Sequence, residues 1–362
     1  MPTRVVIDGL PITGMSLGIV VEHLLEGWHS LESGDELHLV IGPGAQISIP
    51  PSVTVHQVDF GPRPFVSRLR AQSVDVPRVC RAVEADVMLG VLPTTTVSPL
   101  PCPRTMIAYD VRHELRPEQF SAWTRWSKKI SYDIGFYEAD GISCISERTR
   151  QDLMATHPRL RNRLVRVAHL GADHVDSWPV RRPARGYAIA FGQYGNKNVD
   201  LVVDAWSRLH ADGEDLPLAL VGLSETARAT VQAKVDRAGL TGFVEVLPWL
   251  PIESFQERFA SASLVVFPSD FEGFGLPAAE AMRLGIPLVI TPDPALLEVT
   301  GGHAVVTDDD SPEGLAKAVT EARRTTPAAL AAAQEHAAQF TWANTASRVR
   351  EMLGEAIAWS KG

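Results

Sequence analysis

Cysteine is scarce. The three present in 362 residues, Cys80, Cys102 and Cys144, form an odd set without C-x-x-C spacing. That excludes a disulfide scaffold and a thiolate zinc site, and it points to a reducing compartment. Long apolar runs are missing too: none approaches the ~20 residues that span a bilayer. The N-terminus passes directly into a strand-like R-V-V-I-D, without the basic region and apolar core of a signal peptide. The expected location is therefore cytoplasmic, with peripheral contact at the inner membrane surface left open. Excess positive charge is also lacking. A formal net charge of −9, most of the acidity lying in the second half, argues against a general nucleic-acid binder. There is no internal repeat, and the only biased stretch is an Ala-rich helical segment at 327–338, whose composition is that of a solvated helix.

What is present is alternation. Short apolar runs at 4–8, 37–41, 53–58, 87–91, 105–109, 141–146 and 164–169 are separated by helical stretches. One of these, 18–31, puts Val20, Leu24, Gly27 and Leu31 on one face. A second series follows at 187–191, 216–221, 244–247, 264–267, 286–290 and 304–307. Between the two lies 174–186, rich in Pro and Arg, which reads as a linker. Strands alternating with helices predict mostly parallel sheets covered on both faces. A chain of this length accommodates two such domains.

The most informative stretch runs from Ser269 to Met282, S-D-F-E-G-F-G-L-P-A-A-E-A-M. The apolar run before it reads as a buried parallel strand. Gly273 and Gly275 permit a tight turn and close approach of backbone to a ligand. Pro277 suits the first turn of a helix, and Gly285 its C-terminal stop. A strand, a glycine loop and a helix N-terminus together attract phosphate. Glu272 precedes the loop, and Glu280 is expected in the helix's first turn. A carboxylate can accept both hydroxyls of a cis-diol.

This string resembles the Glu-x7-Glu signature of the retaining glycosyltransferases of family 4, roughly E-G-F-G-L-P-x-x-E-A-M-x-x-G-x-P. Here the matching residues are Glu272 to Pro277, Glu280, Ala281, Met282, Gly285 and Pro287. The likeness is strong from 188 to 319 and weak before that. It implies an α/β chain of the GT-B fold, two Rossmann-like domains facing a central cleft. The expected bounds are 1–178 for the acceptor-binding domain and 187–340 for the nucleotide-sugar-binding domain. A last helix, 341–362, is expected to return to the first domain. The implied activity is a metal-independent retaining hexosyl transfer from a nucleotide-diphosphate sugar to a sugar, lipid or natural-product hydroxyl, with no protein nucleophile and no cofactor.

Carried over residue by residue, the resemblance gives Glu272 the hydroxyls of the transferred sugar and Glu280 the ribose. Gly273, Phe274, Gly275 and Leu276 would supply backbone to the donor. Lys197, in F-G-Q-Y-G-N-K-N, takes the place of the lysine that clamps the diphosphate. Gln193 stands where the family has arginine, so one of two usual cations is replaced by a neutral donor. Gly14 and Gly18 occupy the place of a glycine-rich first loop near donor and acceptor. Tyr109-Asp110 departs from a common His-Asp, and His113 is the nearby candidate to replace that imidazole. Cys144 to Glu147 and Gly171-Ala172-Asp173 match structural landmarks. Phe120, Trp123, Ile130 and Ile134 share a helical face beside Arg125, Lys128 and Lys129, and Arg63 to Arg81 is rich in arginine. Both stretches read either as amphipathic helices packed on the first sheet or as an anionic acceptor or membrane surface. Two other functions remain open at this point: a phosphorylase of the same fold, and a non-catalytic partner that keeps the fold.

Overall fold

The computed structural model describes residues 2–12, 15–59, 64–94, 96–181, 185–193 and 195–361. Gly14, Arg63, Arg182, Pro183 and Tyr194 thus lie outside the described residues. The chain divides into two compact units, one of residues 1–171 with 340–362 and the other of residues 172–339.

The first unit is built on a seven-stranded parallel sheet. Its strands are β1 (Arg4–Asp8), β2 (Glu36–Ile41), β3 (Val53–Gln57), β4 (Val87–Gly90), β5 (Arg104–Ala108), β6 (Gly141–Cys144) and β7 (Leu164–Val167), in the order β3-β2-β1-β4-β5-β6-β7. The second holds six parallel strands: β8 (Ala188–Phe191), β9 (Leu218–Leu223), β10 (Val244–Pro248), β11 (Leu264–Phe267), β12 (Leu288–Ile290) and β13 (Val305–Val306), in the order β10-β9-β8-β11-β12-β13. Both are Rossmann-like: each sheet starts at an inner strand, winds outward one way, then returns and winds the other. Helices on both faces require strands apolar on both sides. Val87–Gly90 and Leu264–Phe267 accordingly have every residue buried. All thirteen apolar runs of the sequence are strands, with ends that coincide or shift by no more than two residues. Leu216, for example, lies outside β9, and its carbonyl accepts the indole N–H of Trp206.

The unit break comes earlier than the expected 178. Asp173–Ser177 is a 3₁₀ turn held inside the second unit by His174 on Glu280 and Asp176 on Arg283. Side-chain pairing, invisible in a linker-like composition, decides this. At the other end, helix Trp342–Ser360 packs in the first unit against helix Met15–Ser30 and strands β4, β6 and β7. A Cβ on Gly27 or on Gly171 would lie 2.3 Å from Trp342 backbone atoms, so both positions must be glycine for the helix to seat.

Helix Ala122–Glu138 turns opposite to the packed arrangement allowed from sequence. A Cβ on Gly135 would be 2.4 Å from the Pro93 carbonyl, and Phe136 is fully buried. These two contacts set the phase of the helix and leave Trp123, Ile130 and Ile134 exposed. Among the described residues, no helix is long and apolar enough to cross a membrane.

Candidate active site

In an open parallel sheet, ligands bind beyond the carboxyl ends of the strands where the winding reverses. In the second unit that point lies between β8 and β11, which pair in parallel. The loop after β8 carries Gln193 and Lys197, and the loop after β11 carries Glu272 to Gly275. Topology therefore brings together residues 75 positions apart.

The two loops are sewn to each other by buried polar groups. Asn196, 2% exposed, points its amide at Ser269 Oγ (2.8 Å), the Phe271 carbonyl (2.9 Å) and Glu272 Oε1 (3.1 Å). Its own carbonyl accepts the Asp270 amide, and Asn198 donates to the Pro268 carbonyl. Asn198 adopts φ 50°, a left-handed conformation that asparagine tolerates, and from there the chain enters helix Val199–Ala211. Thr291, at the end of β12, caps the Ser269 carbonyl. Sequence reasoning missed Asn196, Ser269 and Asn198. Their only signal is their position beside a lysine and a glutamate.

At the centre stand Lys197 and Glu272. Lys197 Nζ is 2.5 Å from Glu272 Oε1, with side chains 8% and 14% exposed, and it also lies 4.1 Å over the Phe267 ring. Ser269 Oγ is 2.5 Å from the same Oε1. That oxygen is thus saturated, whereas Oε2 makes no hydrogen bond among the described residues. The sequence places no charge beside Lys197. The fold supplies one, so the ammonium is met by a carboxylate and its loop is held against the next.

Glu280 is in the second turn of helix Leu276–Arg283, not the first, because the helix begins at Leu276. It is buried, and its Oε1 lies 3.0 Å from His174 Nε2. Pro277 occupies the first turn, and Gly285, at φ 66°, follows the C-cap, as expected. Gly275 is the N-cap, at φ 89°, and a Cβ there would be 2.3 Å from Leu296 Cδ2. Its glycine is therefore demanded by the backbone and by the neighbouring helix. Phe274 is buried in the core and leaves only main chain for a ligand. Gly273 and Leu276 are half-buried. The Glu272 amide is directed at Asp293 Oδ2 (3.3 Å), whose Oδ1 caps helix Pro294–Thr300.

Gln193 does not join the Lys197–Glu272 pair. Its side chain leans over Gly222, where an added Cβ would be 3.1 Å from Gln193 Oε1, and it makes no hydrogen bond among the described residues. Gly18 falls within helix Met15–Ser30, buried against Ile47, and not in a loop as expected. His113 is 1% exposed, in the first unit, edge-on to Tyr132, with Nε2 3.8 Å from Glu114 Oε1 and without a hydrogen bond among the described residues. Burial holds its pKa below the usual imidazole value. Such surroundings are those of a core histidine. Tyr109, its neighbour in sequence, likewise has an occluded hydroxyl.

Two places deserve a metal reading. Glu114, Asp133 and His157 converge in the first unit. The Lys129 ammonium already bridges the two carboxylates there, at 3.0 and 3.2 Å. Asp308 and Asp310 have Asp-x-Asp spacing, but they are exposed after β13, and Asp308 pairs with Lys317. Beside Glu272 the cation at hand is Lys197.

Residues 185–324 match the family model described as glycosyl transferases group 1. The chain is 29% identical over 165 residues to the O-antigen chain mannosyltransferase B of Escherichia coli, covering 44% of this chain and 43% of that one. It is 28% identical over 235 residues to the D-inositol 3-phosphate glycosyltransferase of Mycolicibacterium gilvum, covering 61% and 53%. The matches thus span about half the length of these curated relatives. Among solved structures, sucrose-phosphate synthase of Thermosynechococcus elongatus superposes with a TM-score of 0.79 at 14% identity, over 99% of this chain and 100% of that one. The fold is GT-B, two parallel-sheet Rossmann-like domains, and together the comparisons support a glycosyltransferase family for this chain.

Proposed function

We propose that the protein moves a hexosyl group from a nucleotide-diphosphate sugar to an acceptor hydroxyl, with retention of configuration and without a metal. The observation that carries this reading is the Lys197–Glu272 pair at the winding reversal of the second sheet, with Glu272 Oε2 left open. An ammonium has three donors. One holds Glu272, and the others are available to the oxygens of a diphosphate. Oε2 then accepts a hydroxyl of the transferred sugar. Glu280, fixed on one oxygen by His174, offers the other to a ribose. Main chain from Gly273 to Leu276 borders the donor phosphates.

In this mechanism the acceptor oxygen attacks the anomeric carbon on the face from which the diphosphate leaves. The bond from that carbon to the phosphate oxygen breaks, and the acceptor's proton passes to the departing phosphate. Lys197 stabilises the negative charge that grows there, in a site already organised before the donor arrives. Gln193 contributes a neutral hydrogen bond at most.

The test is donor consumption and product formation with GDP-mannose and UDP-glucose, in EDTA, followed by melting shifts across nucleotide sugars. A ligand at 100 times its Kd raises stability by about 2.7 kcal/mol. We expect one donor class to shift the melting point and to be consumed in EDTA, and Glu272→Ala to abolish turnover while the fold persists. Activity that depends on inorganic phosphate, or that returns only with magnesium or manganese, overturns the reading.

A further inference from the structure

Helix Ala122–Glu138 exposes Trp123, Trp126, Ile130, Ile134 and Tyr137. Their spacing of three and four residues puts all five on one narrow face, about 21 Å long at 1.5 Å per residue. Trp123 is 82% exposed and Trp126 56%. Single exposed apolar residues are ordinary, but a continuous row of them is not. The acids beside the row are already met: Asp133 by Lys129 and His157, and Glu138 by Arg104.

Basic charge adjoins the far end of this row. Arg159 stands 5.9 Å from the Tyr137 ring. Arg159, Arg161 and Arg163 are all exposed on and just after the 3₁₀ turn Pro158–Asn162, and none makes an ion pair among the described residues. Arg163 in turn lines a small hollow with Trp359, which is 63% exposed, and with Asp140. Aromatic side chains with one polar edge, aliphatic side chains and unpaired guanidiniums therefore occupy one region of the first unit.

We propose that this region docks on an anionic lipid bilayer. The row would lie in the headgroup boundary, where tryptophan and tyrosine settle. The three arginines would meet lipid phosphates, their alkyl stems lying along the apolar surface. Charge decides against a second copy of this chain as the occupant. A two-fold contact centred on the region would bring two sets of unpaired guanidiniums together. The proposal is independent of the transfer reaction and of which acceptor is used.

The experiment is co-sedimentation of the full chain with vesicles of pure phosphatidylcholine and with vesicles doped with phosphatidylglycerol, at low and high salt. Light scattering gives the oligomeric state in parallel. We expect binding to the doped vesicles that weakens at high salt. Trp123→Ser/Trp126→Ser should lower the partition coefficient at least about tenfold, with melting temperature and nucleotide-sugar shift unchanged. Arg159→Glu/Arg161→Glu should abolish the preference for doped vesicles. No sedimentation with either vesicle, or equal sedimentation of wild type and the tryptophan variant, overturns the proposal. So does a wild-type dimer that the tryptophan variant dissolves.

Discussion

Lys197 and Glu272 are 2.5 Å apart, on loops that follow neighbouring strands β8 and β11. The contact is an enclosed ion pair between two strand-end loops of the second unit, and Asn196 and Ser269 complete it. It gives one lysine two tasks, the first holding a carboxylate in place and the second presenting a cation.

Lys197→Ala should therefore fail on both. Removing one partner of an enclosed ion pair costs about 3–5 kcal/mol, and loss of the only cation in the loop should reduce transfer at least about a hundredfold. Adding Glu272→Gln to Lys197→Ala relieves the unpaired charge, so melting temperature should recover while activity does not. Steady-state kcat/KM for the donor and thermal unfolding of the single and double variants check this. A loss under about fivefold in Lys197→Ala would remove Lys197 from the diphosphate.

Glu280 and His174 make a second test. Glu280→Ala should raise donor KM about tenfold or more, because a charge-assisted hydrogen bond contributes about 1.5–3 kcal/mol. His174→Ala should act through Glu280, with a smaller rise in KM and little change in kcat, and His174→Gln should restore part of the loss. If all three variants melt lower but keep the wild-type KM, the pair is purely structural.

Asp8, at the end of β1, predicts a pH dependence. It is fully buried, and burial pushes its carboxyl from 3.8 up to about 6, against hydrogen bonds from Gln72 and Leu10 and the charge of Arg68. Between those values the folded state keeps a proton that the unfolded chain has released. The raised pKa therefore supports the fold at low pH, and that support is lost as pH rises through about 6, amounting to about 3 kcal/mol at 1.36 kcal/mol per unit. Asp8→Asn should raise the melting temperature more at neutral pH than at acidic pH. An equal difference at both would show that Asp8 does not titrate this way.

Gly27→Ala and Gly171→Ala should each destabilise the first unit by ~1–3 kcal/mol or more, since the new methyl must displace the Trp342 main chain. Denaturant titration of the first unit's transition measures it. The control Gly354→Ala, on the same C-terminal helix with open space around it, should stabilise slightly or do nothing. Unchanged midpoints for the two clashing variants would mean that the helix is not seated there.

Sequence by itself determined the strands, because a central parallel strand covered on both faces must be apolar throughout, as Leu264–Phe267 is, and thirteen strand-like runs alternate with helical stretches along the chain. It also determined the glycine loop and the proline start of helix Leu276–Arg283, because those residue types have few other conformational uses. Tertiary structure alone decided which polar groups meet. Asn196 and Ser269 are ordinary residues until β8 and β11 lie side by side. His174 sits in a segment that reads as linker until it closes on Glu280. The outward face of Trp123 to Tyr137 likewise follows from Gly135 fitting against the Pro93 carbonyl. Periodicity reveals that a helix has an apolar face, but long-range packing decides whether that face points to the core or away from it.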